Sequence, residues 1–174
     1  PATNVIDAAA SGALTGLTLA MNVGAMLIAF VALIALLNGV VGGIAGLFGV
    51  EDLTLQAILG FILAPLAFLL GTPWEEASAV GSLIGQKVVL NEFVAYIELL
   101  NIYEGLSEKA KVIATFALCG FANISAIAIL VGGLGSMAPD RRHDISRMGI
   151  KAVAAGTLSN LMSATLAGLF LSFV

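Results

Sequence analysis

Charged residues are scarce in this sequence and unevenly spread along it. Only 10% of the 174 residues are charged, whereas 60% are hydrophobic, and an ordinary soluble domain carries about 25% charged residues. Three stretches of 43, 28 and 23 residues hold no charge at all, namely 8–50, 112–139 and 152–174. Because a helix that crosses a bilayer needs about 20 apolar residues, this composition argues against a soluble domain and predicts a polytopic membrane protein.

Cysteine and histidine are nearly absent, which limits the chemistry that the chain can perform. Cys119 is the only cysteine, so neither an intrachain disulfide nor a cysteine-based metal cluster can form. The only histidine, His143, lies in a short charged stretch that we interpret as a solvated loop. No apolar stretch holds a nucleophile beside a base or a pair of aspartates, so neither an enzyme nor a bound cofactor is predicted.

The net charge of −4 forms no basic patch, which argues against nucleic-acid binding. The chain begins with Pro1, and no basic segment or cleavage site typical of a signal peptide follows it. We therefore interpret the sequence as a piece of a longer protein.

Three apolar segments predict transmembrane helices, and a fourth is shorter. Residues 15–49 exceed one membrane thickness and should tilt or bend. The spacing of Gly39 and Gly43, and that of Gly42 and Gly46, predicts close helix packing. Residues 53–70 hold Pro65 and predict an interfacial or bent helix, with Glu51 and Asp52 at its beginning.

Residues 74–100 carry charges inside an apolar sequence and predict a re-entrant helical hairpin. Asn91 is a suitable N-cap with Glu92 as the first helical residue, which divides the segment into two helices too short to cross a bilayer. Glu75 and Glu76 are expected to cap the first of them. A broken backbone at membrane depth is tolerated only where it is buried in protein or lines a polar cavity.

Residues 112–139 predict a second span, which is discontinuous because polar residues interrupt it near its middle. Asn123 and Ser125 lie close to the midpoint and favour caps over helix interiors. A polar loop is expected before this span, at 101–111, and an arginine-rich cytoplasmic loop after it, at 140–147. The last span, 149–173, carries polar residues that suit interhelical hydrogen bonds: Ser159, Asn160, Ser163 and Thr165.

Glu92 is the strongest candidate for a functional residue. A carboxylate inside a membrane costs at least about 3 kcal/mol, so it either binds a polar solute, a coupling ion or a proton, or pairs with Lys87 in the hairpin. Asn123 is predicted at a similar depth. Two discontinuous elements with polar groups near the midplane indicate the site of a secondary transporter.

A resemblance to a known family covers essentially the whole chain. Residues 85–96 read Gly-Gln-Lys-Val-Val-Leu-Asn-Glu-Phe-Val-Ala-Tyr, which resembles the concentrative nucleoside transporter signature Gly-x-Lys-x-x-x-Asn-Glu-Phe-Val-Ala-Tyr. Further similarity lies at 4–7, 20–24, 117–125 and 132–139. The resemblance implies the C-terminal half of such a transporter, an all-α polytopic membrane protein with transmembrane helices, a re-entrant hairpin and one discontinuous helix.

The resemblance also gives each segment an expected role. It implies that 15–49 is a scaffold helix of a homotrimer, 53–70 an interfacial helix, and 74–100 the second re-entrant hairpin. Nucleosides would enter through the bacterial inner membrane by an elevator movement, driven by a sodium or proton gradient. The missing N-terminal half is expected to hold the sodium site, so no metal ligand is assigned here.

The resemblance implies a substrate site of four residues. Glu92 and Asn123 would hydrogen-bond ribose hydroxyls, Phe121 would contact the base, and Ser125 is a further candidate. The family commonly has Asn-x-Ser-Ser, whereas this chain has Ala126 as the fourth residue, so one hydroxyl is missing unless Ser125 or water replaces it. The alternatives are the same architecture carrying another polar solute, such as a free base, and a non-coupled channel subunit.

Overall fold

A computed structural model describes residues 3–50, 53–137 and 139–173, which form an all-helical arrangement. The seven α-helices are α1 (Val5–Leu47), α2 (Leu55–Leu69), α3 (Trp74–Val89), α4 (Glu92–Ile102), α5 (Glu108–Leu118), α6 (Ile124–Met137) and α7 (Arg142–Leu171). Short 3-10 helices lie at Tyr103–Gly105 and Pro139–Arg141. The expectation that Glu51 and Asp52 begin the second helix falls on residues outside these ranges.

The first helix begins at Val5, earlier than the predicted residue 15. Asn4 caps it, because its side-chain oxygen accepts a hydrogen bond from the backbone N–H of Asp7 at 2.8 Å. The Asp7 carboxylate in turn accepts from the backbone N–H of Thr3 at 2.8 Å. This reciprocal cap fixes the beginning of a 43-residue helix that is about 65 Å long, so α1 extends well beyond one bilayer.

The second and third helices pack against each other almost backbone to backbone. A β-carbon added to Gly81 would lie 2.8 Å from the backbone nitrogen of Ala64, and one added to Gly60 would lie 2.7 Å from the carbonyl oxygen of Ser78. Pro65 is accommodated inside α2, and the sharp change of direction comes after it, where the chain bends by 115° between α2 and α3. By contrast, no described atom lies within 4 Å of a β-carbon added to Gly39, Gly43 or Gly46, and one added to Gly42 would lie at an ordinary 3.7 Å from the carbonyl oxygen of Leu53. The close packing predicted for these glycines is therefore absent from the described residues.

A re-entrant hairpin follows, formed by α3 and α4 with a turn at Leu90 and Asn91. The Glu76 carboxylate, near the beginning of α3, accepts hydrogen bonds from the backbone N–H of Ser107 at 2.9 Å and from its hydroxyl at 2.7 Å. Because Ser107 follows the end of α4, the two helices run antiparallel. At about 24 and 16 Å, neither is long enough for a hydrocarbon core of about 30 Å. Glu76 therefore closes the base of the hairpin, whereas no side-chain hydrogen bond caps the beginning of α3.

The discontinuous helix consists of α5 and α6, separated by residues 119–123. Helix α5 begins at Glu108, so most of the loop predicted at 101–111 is helical. Likewise α7 begins at Arg142, and most of the loop predicted at 140–147 belongs to its first turns. Charged residues at a helix end remain in contact with water and do not prevent helix formation. The charge pattern alone therefore predicted that both helices begin later in the chain than they do.

A shared apolar core joins α2, α3, α4, α5 and α7. Helix α1 meets this block at few points: Ile34 and Leu27 pack against Leu90 and Val94, and Asn38 is hydrogen-bonded to the beginning of α2. Most of its apolar side chains are exposed in the isolated chain. Helices α1 and α7, and the bent pair α2–α3, are long and apolar enough to cross a membrane. The chain is thus a polytopic membrane protein whose outer helix is loosely attached to a compact unit.

Polar residues of α7 do not all behave as predicted. The hydroxyls of Ser163 and Thr165 donate to carbonyls of their own helix, those of Ser159 and Leu161, at 3.0 and 2.9 Å. These bonds satisfy the hydroxyls without a neighbouring helix, so the predicted interhelical hydrogen bonds do not form at those two residues.

The bond between Glu76 and Ser107 makes a testable contribution to stability. We expect Glu76→Ala to lower the free energy of unfolding by about 2 kcal/mol, since it removes two hydrogen bonds to a charged group. Thermal unfolding of the full-length protein in detergent measures this loss. Glu75→Ala is the matched control, because Glu75 is exposed, and equal melting temperatures for the two variants would contradict the assignment.

Candidate functional site

The two helix breaks meet, and each ends in an asparagine that caps the next helix. The side-chain oxygen of Asn91 accepts from the backbone N–H of Val94 at 2.9 Å, at the beginning of α4. The side-chain oxygen of Asn123 accepts from the backbone N–H of Ala126 at 2.7 Å, at the beginning of α6. Each cap satisfies a backbone donor that has no partner within the helix itself.

A direct contact connects the two breaks. The amide nitrogen of Asn123 donates a hydrogen bond to the Glu92 carboxylate, with 2.6 Å between Nδ2 and Oε2. Asn123 is completely buried, and Glu92 is partly exposed. One side chain therefore caps α6 with its oxygen and holds the carboxylate of α4 with its nitrogen.

Ser125 completes this arrangement. Its hydroxyl lies 2.7 Å from the side-chain oxygen of Asn123 and 3.3 Å from the carbonyl oxygen of Leu90. Donation to the Asn123 oxygen fixes which end of that amide faces Glu92. The Leu90 carbonyl is a backbone group in the hairpin turn, and nothing in the sequence could have singled it out.

The charge of Glu92 is supported by backbone dipoles. Glu92 is the first residue of α4 and faces the first turn of α6 through Asn123. Helix N-termini carry partial positive charge and stabilise nearby anions. The Glu92 carboxylate thus lies beside the N-terminal ends of two helices.

The sequence left open whether Glu92 pairs with Lys87 or binds a ligand. The structure shows no ion pair between these two residues. The ion pairs within the described residues are Lys111–Glu108 and Arg141–Asp144. Lys87 is 1% exposed, and its ammonium nitrogen makes no hydrogen bond to any described residue. It lies in the last turn of α3, where the helix dipole favours a cation. The hairpin tip therefore holds a lysine at the end of α3 and a glutamate at the beginning of α4, without an ion pair between them.

Of the four residues considered from the sequence, three are in one hydrogen-bonded group and the fourth is near them in sequence. Glu92, Asn123 and Ser125 form the connected group, and Phe121 lies in the same break with 55% of its surface exposed. No group of three or more histidine, cysteine, aspartate or glutamate side chains in the described part of the chain could hold a metal ion. The arrangement offers a carboxylate acceptor, an amide and an accessible aromatic ring.

Comparison with known proteins identifies the family. The profile described as "Na+ dependent nucleoside transporter C-terminus" matches residues 1–168. The chain belongs to this family. Its members are nucleoside transporters and not enzymes.

Individual relatives of the transporter are similar along nearly the whole chain. An uncharacterized transporter, YutK of Bacillus subtilis, is 61% identical over 98% of this chain and 42% of its own length. The nucleoside permease NupC of Helicobacter pylori is 56% identical over 97% of this chain and 41% of its own length. A solved structure of CNTnw in an inward-facing substrate-bound state matches 99% of this chain with a TM-score of 0.93 and 61% identity, and the match covers 43% of that structure.

The chain therefore spans about 42% of the length of the curated relatives it matches. It contains one re-entrant hairpin and one discontinuous helix of a longer transporter architecture.

The double role of Asn123 can be separated by substitution. Serine is as good an N-cap as asparagine, so Asn123→Ser should preserve the cap of α6 while removing the bond to Glu92. We expect this variant of the full-length protein to melt within about 2 °C of the native protein and to bind nucleosides more weakly. Asn123→Ala should lower both quantities, because the cap is worth about 1 kcal/mol.

Asn91 supplies the matched control. It caps α4 in the same way, and its side-chain oxygen bonds to Val94 and not to Glu92. Asn91→Ser should leave both the melting temperature and nucleoside binding unchanged. Calorimetric titration and thermal unfolding in detergent measure the two quantities, and native affinity in Asn123→Ser would show that the bond to Glu92 has no part in the site.

Proposed function

We propose that the chain is the C-terminal half of a secondary active transporter that imports nucleosides across the bacterial inner membrane, driven by a sodium or proton gradient. The observation that carries the proposal is the hydrogen bond between Asn123 and Glu92 where two helix breaks meet. Such a site at the junction of discontinuous elements is typical of secondary transporters. Family membership supports a nucleoside as the substrate.

Ribose recognition follows from the atoms that remain free at this site. The Glu92 carboxylate has a second oxygen beyond the one bound to Asn123, and it can accept from a vicinal pair of hydroxyls. Asn123 is completely buried in this chain, so its role is to hold the Glu92 carboxylate, and its second N–H could donate to a ribose oxygen only if that burial is relieved. A carboxylate at the end of two dipoles thus matches a neutral ligand that is rich in hydroxyl donors.

The alanine at position 126 alters this recognition without abolishing it. Ala126 is 1% exposed, and its backbone N–H is used by the Asn123 cap. The hydroxyl hydrogen of Ser125 is committed to Asn123 or to Leu90, so Ser125 is left with acceptor capacity only. Glu92 is therefore the principal acceptor for ribose hydroxyls, and Ser125 does not supply the donor that a serine at 126 would offer.

Phe121 is suited to the base. It lies two residues before Asn123, and more than half of its surface is accessible in this chain. An aromatic ring beside a polar pair can bind the flat face of a base while the pair binds the sugar. The groups that read the edge of the base would belong to the missing N-terminal half.

The loose attachment of α1 supports an elevator movement in a homotrimer. Helices α2, α3, α4, α5 and α7 share one apolar core, whereas α1 touches it at few points and exposes most of its apolar side chains. In the proposed mechanism α1 remains fixed against other subunits while the hairpin-bearing unit carries the substrate across.

Glu92→Gln tests the site. Replacement removes the charge from hydrogen bonds worth about 1.5–3 kcal/mol, so the full-length protein should take up uridine with a KM raised about 10- to 100-fold. The native protein should discriminate strongly against 2′,3′-dideoxyuridine, since a site built to bind hydroxyls rejects an analogue that lacks them. In Glu92→Gln this discrimination should shrink.

Glu98→Gln is the matched control, because Glu98 lies on the same helix and bonds to Asn101; its uptake should remain native. The measurements are made with uridine, adenosine and free bases, with and without sodium, at two pH values. Unaltered uridine uptake in Glu92→Gln would refute the proposed site. Preferred uptake of a free base, or conductance without competition between nucleosides, would refute the proposed substrate or the coupling.

A further inference from the structure

The requirement for glycine at residue 120 comes from a side chain on another helix, α7. It belongs to the break between α5 and α6, and among the described residues left-handed glycine conformations occur at Gly49 and Gly71 only. Its backbone is therefore one that alanine could also adopt. A β-carbon at Gly120, however, would lie 1.8 Å from Nδ2 of Asn160 and 2.3 Å from its Cγ and Oδ1. The side chain of Asn160 fills the space that a larger residue would need.

Helix α7 contacts the break at a second point on the same face. Gly156 and Asn160 are four residues apart and therefore lie one above the other on the helix. A β-carbon at Gly156 would lie 3.0 Å from the β-carbon of Ala122. Phe121 lies between the two contacting residues, Gly120 and Ala122, in the chain.

The amide nitrogen of the half-buried Asn160 is enclosed but not hydrogen-bonded within the described residues. Its Nδ2 atom and the Thr157 hydroxyl one turn before it are inaccessible to solvent, and neither has a partner among the described residues. An unpaired buried amide costs free energy that an apolar side chain of similar size would avoid. Packing alone therefore does not account for an asparagine at this place.

We propose that Asn160 is a positioning residue for the substrate site. Its amide sets the location of the break and, through it, the locations of Phe121 and Asn123 relative to Glu92. The inference rests on the proposed function for the identity of the ligand. The contact between residues 120 and 160 is independent of that identity.

A double-mutant cycle on the full-length protein tests the proposal. Gly120→Ala forces the Asn160 amide to rotate away, and Asn160→Ala removes it, so each should raise the KM for uridine about tenfold through misplacement of the site. The maximal uptake rate per transporter should stay near the native value. The double variant should resemble Asn160→Ala alone, because the alanine methyl then occupies the vacated space.

Gly105→Ala is the matched glycine control, since no atom lies within 4 Å of a β-carbon there, and it should retain the native KM. A native KM in Asn160→Ala, or additive effects in the double variant, would overturn the proposal. The same cycle measured by thermal unfolding needs no nucleoside. If the native protein takes up no nucleoside, the proposed substrate fails, whereas additive shifts in Tm refute the contact itself.

Discussion

The structure depends on one constraint: polar groups at the depth of the membrane must be satisfied by the protein itself. Asn123 meets this constraint for two helices at once, because its oxygen caps α6 and its nitrogen holds the carboxylate of Glu92. Without such a residue, the beginning of α6 would leave an unpaired backbone donor, and the Glu92 carboxylate would lose the amide that donates to it. The helix breaks therefore persist because they satisfy each other, and the polar surface they create is the site.

Much of the architecture could be predicted because the lengths of the apolar stretches and the positions of the polar residues that interrupt them can be read from the sequence. The cap at Asn91 and the interruption around Asn123 follow from residue preferences that operate over three or four positions. The helix boundaries near water were less accessible to this reasoning. Arginine at 142 and glutamate at 108 are compatible with either a loop or a first helical turn, and the tertiary structure decides between them.

The remaining features could not be predicted, since they depend on contacts between residues distant in the chain. The sequence pointed to Gly39 and Gly43 as packing positions, whereas the close approach occurs at Gly60 and Gly81. Spacing alone does not say which glycine faces a neighbour. The same holds for Lys87, whose complete burial no local pattern indicates, and for Asn160, whose position against Gly120 brings together residues 40 positions apart.

The attachment of α2 has a mechanical consequence. The side-chain oxygen of Asn38 in α1 accepts a hydrogen bond from the backbone N–H of Leu55 at 2.8 Å, and its amide nitrogen donates to the side chain of Gln56 at 3.0 Å. Two hydrogen bonds thus attach α1 to the first turn of α2. The rest of α2 is clamped to α3 through Gly60 and Gly81. If the hairpin-bearing unit moves as proposed while the Asn38 bonds hold, α2, which is about 22 Å long, would turn about Leu55. The displacement relative to α1 would then be smallest at Leu55 and largest at the other end of α2, near Leu69.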